Sequence, residues 1–147
     1  MLTIFETSFW KATHRGDSRY PGHLILASKS NSSEISALDT AALTELGSVM
    51  AKAEQLLISA YNPYRVITAK LGFSAGYGCH FHMLPVSREL LSEIAMHPDY
   101  TNEPDGNDVL LYVSREYCER SLTEDELKKQ LEASSHLANV ALVMNAG

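Results

Sequence analysis

The 147 residues carry 12 Lys and Arg against 18 Asp and Glu, a net charge of −6, with 45% apolar and 20% charged side chains. A chain of this length buries a real core without staples, and this composition excludes a disordered one; a single domain over residues 1–147 is expected. The acidic balance argues against a general DNA or RNA binder, which carries a basic stripe, but a few local donors can still hold a small phosphate ligand.

Cys79 and Cys118 are too few for a disulfide framework, and their spacing offers no zinc ribbon. The start, Met-Leu-Thr-Ile-Phe-Glu, lacks the basic and apolar regions of a signal peptide. No apolar run reaches the ~18 residues of a membrane span. These features predict a cytoplasmic protein with reduced thiols and no membrane partner.

Residues 2–5 and 8–13 are short and rich in Phe, Ile, Thr and Trp, and predict strands. A polar loop over 14–20 follows, punctuated by Pro21-Gly22, and 23–28 reads as a buried strand. Leu43, Leu46, Met50, Ala53 and Leu57 recur at three- and four-residue steps, so a long helix is expected, capped by Asp39 and ended by Asn62-Pro63. Strands are predicted at 65–70 and, after a glycine-rich connector over 72–78, at 79–84, where Pro85 stops the strand or moves it to an edge. A short helix is expected over 87–96, a loop over 97–107 and a strand over 109–113. Thr123 and Glu126 have capping-box spacing, and 137–144 is a last apolar helix or strand. The order predicts an α+β fold with a largely antiparallel sheet, a core over about 2–86 and a C-terminal extension over about 87–147.

Chemistry concentrates in Gly78-Cys79-His80-Phe81-His82-Met83-Leu84-Pro85. Alternate residues of a strand share a face, so His80 and His82 point one way with Gly78, while Cys79, Phe81 and Met83 point to a core. Three readings are open. The two histidines are half-exposed strand residues; or they hold a metal, with His23 or a distant carboxylate as third ligand; or one attacks phosphorus, because neutral imidazole is a good nucleophile at pH 7 and glycine-rich backbone amides can cradle phosphate oxygens.

Gly72-x-x-Ala75-Gly76, then His80-x-His82-x-x-Pro85, preceded by Pro21-Gly22-His23-Leu24-Ile25-Leu26, resembles the histidine triad (HIT) superfamily. That family carries a Pro-Gly-His strand, a long helix, an Asn-x-Gly-x-x-Ala-Gly-Gln turn and His-φ-His-φ-His-φ-φ-Pro. The stretch 111–119 is also similar to a segment that follows the core in a bacterial HIT-like subgroup.

The resemblance implies a HIT-like fold with one long helix and a short C-terminal helical region, in a homodimer. It implies hydrolysis or nucleotidyl transfer on an AMP-type phosphoanhydride or phosphoramidate, through a nucleotidyl-histidine. No metal or other cofactor is implied. With Pro85 as anchor, His80 falls on the nucleophile, His82 on the third histidine and His23 on the upstream histidine that braces the site. Gly78 replaces the first histidine, which raises the alternative of a nucleotide-binding protein with little catalysis. The family's Gln becomes Tyr77 and its Asn becomes Lys70, a charge that could reach a phosphate. Gly76 belongs to the phosphate turn, His14, Arg15 and Asp17 lie where ribose and phosphate contacts arise, and Ser28 is a further phosphate donor. Trp10, with Phe5 and Phe9, is expected to wall a base pocket.

Overall fold

A computed structural model of the chain describes residues 2–146; Met1 and Gly147, the ends of the expected domain, lie outside the described residues. Among the described residues five strands form, β1 (Thr3–Glu6), β2 (Trp10–His14), β3 (Leu24–Ser28), β4 (Arg65–Ala69) and β5 (His80–Val86). Four α-helices accompany them, α1 (Thr40–Tyr61), α2 (Arg88–Met96), α3 (Gly106–Tyr117) and α4 (Glu124–Ala146), with a 3-10 turn at Ile35–Ala37. The strands make one antiparallel sheet in the order β1-β2-β3-β5-β4.

Register decides what each face of the sheet does. Trp10, Ala12 and His14 of β2 lie opposite Ser28, Leu26 and Leu24 of β3, and Leu26 and Leu24 lie opposite Phe81 and Met83 of β5. Apart from Ser28, which at the end of β3 reaches the cleft, these residues share one face. Against it pack Val49, Ala53, Leu56 and Leu57 of α1 and Leu137 and Ala141 of α4, which closes the main core. The other face carries Ile25, Ala27, His80 and His82 at one end and Leu84 at the other. Leu84 and Val86 form a second cluster with Leu90 and Ile94 of α2 and Val109, Tyr112 and Val113 of α3. The helices α2 and α3 thus cover half of this face and leave the histidine end open.

The long helix matches its expected span. Asp39 does precede it, but its side chain makes no cap; its backbone carbonyl accepts from Leu43 N–H at 3.0 Å instead. Asn62 ends α1 in the left-handed conformation, at φ 45°.

Pro85 neither stops β5 nor puts it at an edge, because β5 runs to Val86 between β3 and β4. The Val86 carbonyl accepts from Tyr64 N–H on the β4 side, so the neighbouring Pro85 points its backbone the other way. There the β3 ladder has already ended at Leu24 opposite Met83, and the Pro85 carbonyl accepts from the Tyr20 hydroxyl. A missing N–H costs nothing at that spot.

The predicted strand over 109–113 is the middle of α3. Its β-prone Val-Leu-Leu-Tyr-Val run also places Val109, Tyr112 and Val113 on one helical face. A reciprocal cap decides between the two: Asp105 accepts from Asp108 N–H at 3.0 Å, and Asp108 accepts from Asp105 N–H at 2.8 Å. Asp105→Ala is expected to cost about 1 kcal/mol, read as a lower urea midpoint with an unchanged slope.

The Thr123–Glu126 capping box forms, with Glu126 N–H on Thr123 at 3.3 Å and Thr123 N–H on Glu126 at 3.0 Å. Residues 137–144 belong to α4, which is 23 residues long. The C-terminal helical region is therefore not short: it supplies three helices on both faces of the sheet.

Candidate active site

The open end of the second face is a cleft of about 1220 Å³. Its floor is Ile25 and Ala27 of β3 with His80 and His82 of β5; the 71–78 turn, Arg15, Asp17 and the 28–34 loop form its walls.

His80 and His82 sit side by side, ring centroids 5.2 Å apart. The Nδ1 of His80 lies 2.8 Å from the Gly78 carbonyl. A carbonyl only accepts, so Nδ1 carries a proton, and the lone pair of the neutral ring is then on Nε2. The Nδ1 of His82 lies 3.0 Å from Nε2 of His23, whose own Nδ1 lies 2.9 Å from Ser18 Oγ. His82 lines the cleft, whereas His23 is buried behind it. Burial above all, with His82 and Arg15 nearby, pushes the pKa of His23 down to about 2. Burial, then Arg15 and His80, holds His82 at about 4. Both rings are neutral at pH 7.

The loop before β3 is tied down at both ends. Arg15 N–H donates to the His23 carbonyl at 2.7 Å, and the Arg15 carbonyl accepts from Gln130 of α4 at 3.1 Å. The Arg15 guanidinium pairs with Asp17 at 2.6 Å on the cleft wall. Gly22 takes φ +88°, and a Cβ there would fall 2.6 Å from both Pro85 and Tyr61. Only glycine passes between those rings to set up His23.

Five expected site residues are elsewhere. Trp10 is 0% exposed on the α1 face, its ring near Phe81 and its indole N–H on the Ala42 carbonyl at 3.0 Å. Phe5 and Phe9 pack in the same core, so none of the three walls a base pocket in the cleft. Lys70 is absent from the cleft wall; its ammonium lies 3.8 Å from Glu34. His14 is buried at the end of β2, its Nδ1 on the Arg15 carbonyl and its Nε2 accepting from Gly22 N–H, both at 3.0 Å. Arg15, Asp17, Ser28, Gly76, Tyr77 and Gly78 do line the cleft.

No protein-family model matches the sequence, and no curated protein does. Solved structures match in fold. A hypothetical histidine triad nucleotide-binding protein from Sulfolobus tokodaii is similar with a TM-score of 0.64 at 16% identity, over 97% of this chain and 84% of that one. A histidine triad protein from Bradyrhizobium japonicum gives 0.63 at 18% identity, over 95% and 90%. A Hit-like protein involved in cell-cycle regulation from Bartonella henselae gives 0.61 at 14%, over 95% and 88%. The fold is that of the histidine triad proteins.

Within that fold the histidine triad pattern is altered. The expected first histidine position falls on Gly78 by the resemblance, and in the structure the Gly78 carbonyl is the group that holds Nδ1 of His80. Three further residues matter that are not among the expected site residues. Ser18 is fully buried against His23. Cys118, at the end of α3, has its Sγ 3.8 Å from Nδ1 of the same ring, and burial pushes its thiol pKa up. Ser18 reaches His23 from five positions away across an irregular loop, and Cys118 from 95 positions away. Gly72 did carry a signal, as the first glycine of the turn. A Cβ on it would lie 2.9 Å from Cε1 of His80, closer than real contacts allow. Gly72→Ala is therefore expected to push the His80 ring off its carbonyl. A misplacement of this kind costs about 10²-fold in kcat/KM, with the melting temperature almost unchanged, measured on any substrate the protein turns over.

Proposed function

We propose that this protein cleaves or transfers an AMP-type nucleoside phosphate from a phosphoanhydride or phosphoramidate through a nucleotidyl-histidine on His80. The observation that carries this reading is the Nδ1 contact of His80 with the Gly78 carbonyl, which selects the tautomer whose lone pair is on Nε2, on the cleft floor. Nε2 attacks the α-phosphorus, the bond to the leaving group breaks, and the leaving group departs with that electron pair and takes a proton from solvent where it needs one. Water or another acceptor then attacks phosphorus and gives up its proton to solvent, the P–N bond breaks, and His80 regains its lone pair. The neighbouring His82 faces the phosphate oxygens. Arg15 adds positive charge beside them, and Asp17 accepts from ribose hydroxyls. Backbone amides of the 71–78 turn, Gly76 to Gly78 among them, fit phosphate.

The cleft volume supports a two-part substrate. At about 1220 Å³ it exceeds the ~300–1,000 Å³ of ordinary small-ligand sites, so a nucleotide and its leaving group fit together. An adenine nucleotide, a homodimeric assembly and a cytoplasmic setting complete the proposal.

Gly78 favours a second reading, nucleotide binding with little turnover, because an imidazole that would assist the leaving group is replaced. One experiment separates them. The protein is mixed briefly with diadenosine polyphosphate or an AMP phosphoramidate, quenched and weighed intact. A mass gain of one nucleotidyl group, mapped to His80, is expected. Tight AMP binding by calorimetry without any adduct or turnover selects the second reading.

A further inference from the structure

The two histidines of the cleft have opposite needs. A nucleophile must offer a lone pair, and the ring beside it must offer N–H to the phosphate oxygens. His80 is fixed by a carbonyl. His82 is held only by another imidazole, His23, and two neutral imidazoles can share their proton either way. Something beyond His23 must choose.

The far side of His23 supplies the choice. Its Nδ1 faces Ser18 Oγ at 2.9 Å and Cys118 Sγ at 3.8 Å. Ser18 Oγ already accepts from Tyr20 N–H at 3.2 Å. Both groups carry a proton to give, and among imidazole nitrogen, hydroxyl oxygen and thiol sulfur the nitrogen is the strongest base. A Ser18 hydroxyl that donates to Nδ1 of His23 satisfies both groups, with one Ser18 lone pair held by Tyr20 N–H. That places the His23 proton on Nε2, which donates to Nδ1 of His82. The His82 proton is then on Nε2, the ring nitrogen that no protein group occupies and that is not sealed from solvent.

We propose that Ser18, covered by Cys118 from the C-terminal helical region, is a positioning residue that fixes His82 as an N–H donor to the substrate phosphate through His23. Ser18 never touches substrate and never loses its proton; it sets the tautomer of two rings. The end of α3 is bolted over it. Arg19 N–H donates to the Tyr117 carbonyl at 3.0 Å, and the Arg19 guanidinium holds Glu119 at 2.7 Å and the Glu116 carbonyl. This gives the C-terminal helices a task at the site: they keep water off Nδ1 of His23, where it would offer a competing acceptor.

The role as phosphate donor rests on the proposed function, but the tautomer does not. The experiment reads the imidazole nitrogen-15 shifts of the full-length protein at pH 7, wild type and Ser18→Ala, together with kcat and KM on diadenosine polyphosphate. In the wild type, His82 is expected to show an unprotonated Nδ1 and a protonated Nε2. In Ser18→Ala the His82 shifts move toward the mirror tautomer. KM rises about tenfold, as when outer partners of metal-bound histidines are removed, with a smaller change in kcat. A wild-type His82 protonated on Nδ1, or a variant with unchanged shifts, overturns the proposal. If Ser18→Ala does not fold, the wild-type spectrum decides alone. The expected shifts without turnover of any nucleotide would retain Ser18 as the tautomer switch and discard the proposed substrate instead.

Discussion

His80→Ala is expected to form no nucleotidyl-enzyme and to lose on the order of 10⁴- to 10⁶-fold in turnover of a dinucleoside polyphosphate, the scale on which covalent enzymes suffer when the nucleophile goes. The fold should survive the change. His80 is half-buried at the mouth of β5, its ring contacts the Gly78 carbonyl and the rings of His82 and Tyr77, and it belongs to neither apolar cluster. His82→Ala should fall less, by about 10²- to 10³-fold, because it removes a donor to the phosphate rather than the attacking atom. Free imidazole added to His80→Gly should restore part of the rate, since the cleft floor keeps its shape and a small ring can enter it. A His80→Ala protein that turns over labelled substrate at the wild-type rate would remove His80 from the mechanism.

What the sequence made legible was whatever repeats locally. Alternation along 79–84 put both imidazoles on one face and Cys79, Phe81 and Met83 on the other, as found. Three- and four-residue spacing gave α1, and Thr123 with Glu126 gave the start of α4. What failed was everything set by which strand lies beside which. Trp10 is an aromatic residue near a proposed nucleotide site, yet its partner Ser28 and its neighbour Phe81 put it on the helix side of the sheet. Lys70 is expected to bring a charge to a phosphate, but Glu34 from a remote loop lies 3.8 Å from its ammonium. The run at 109–113 is equally apolar as strand or helix, and a two-aspartate cap outside it tipped the balance. The approach of Cys118 to His23 is invisible for the same reason, since that contact spans 95 positions; Ser18 is five positions from His23, in a loop with no periodic pattern to aim its side chain.

The buried imidazoles also predict how the fold answers to acid. His23 and His82 take pKa values of about 2 and about 4 in the folded chain against an ordinary 6.5. His14 is lowered too, by burial. Each is depressed, so the unfolded chain binds protons first as pH falls. Stability is complete above pH 6.5 and is lost from there down through the folded values, at about 1.4 kcal/mol per pH unit for each histidine. His23 and His82 together then remove about 4 kcal/mol between pH 7 and pH 5, a large share of the ~5–15 kcal/mol of an ordinary domain. The carboxylates with lowered pKa, Glu126 at about 2 among them, lose their contribution only at lower pH. Urea midpoints at pH 7, 6 and 5 measure the effect, and His23→Gln, which keeps a polar side chain but cannot take the proton, should flatten the profile by about half. Equal midpoints at pH 7 and pH 5 would mean that these rings exchange protons with solvent as freely as in the unfolded chain. In that case the neutral, tautomer-fixed His23–His82 pair on which the phosphate contact depends does not exist.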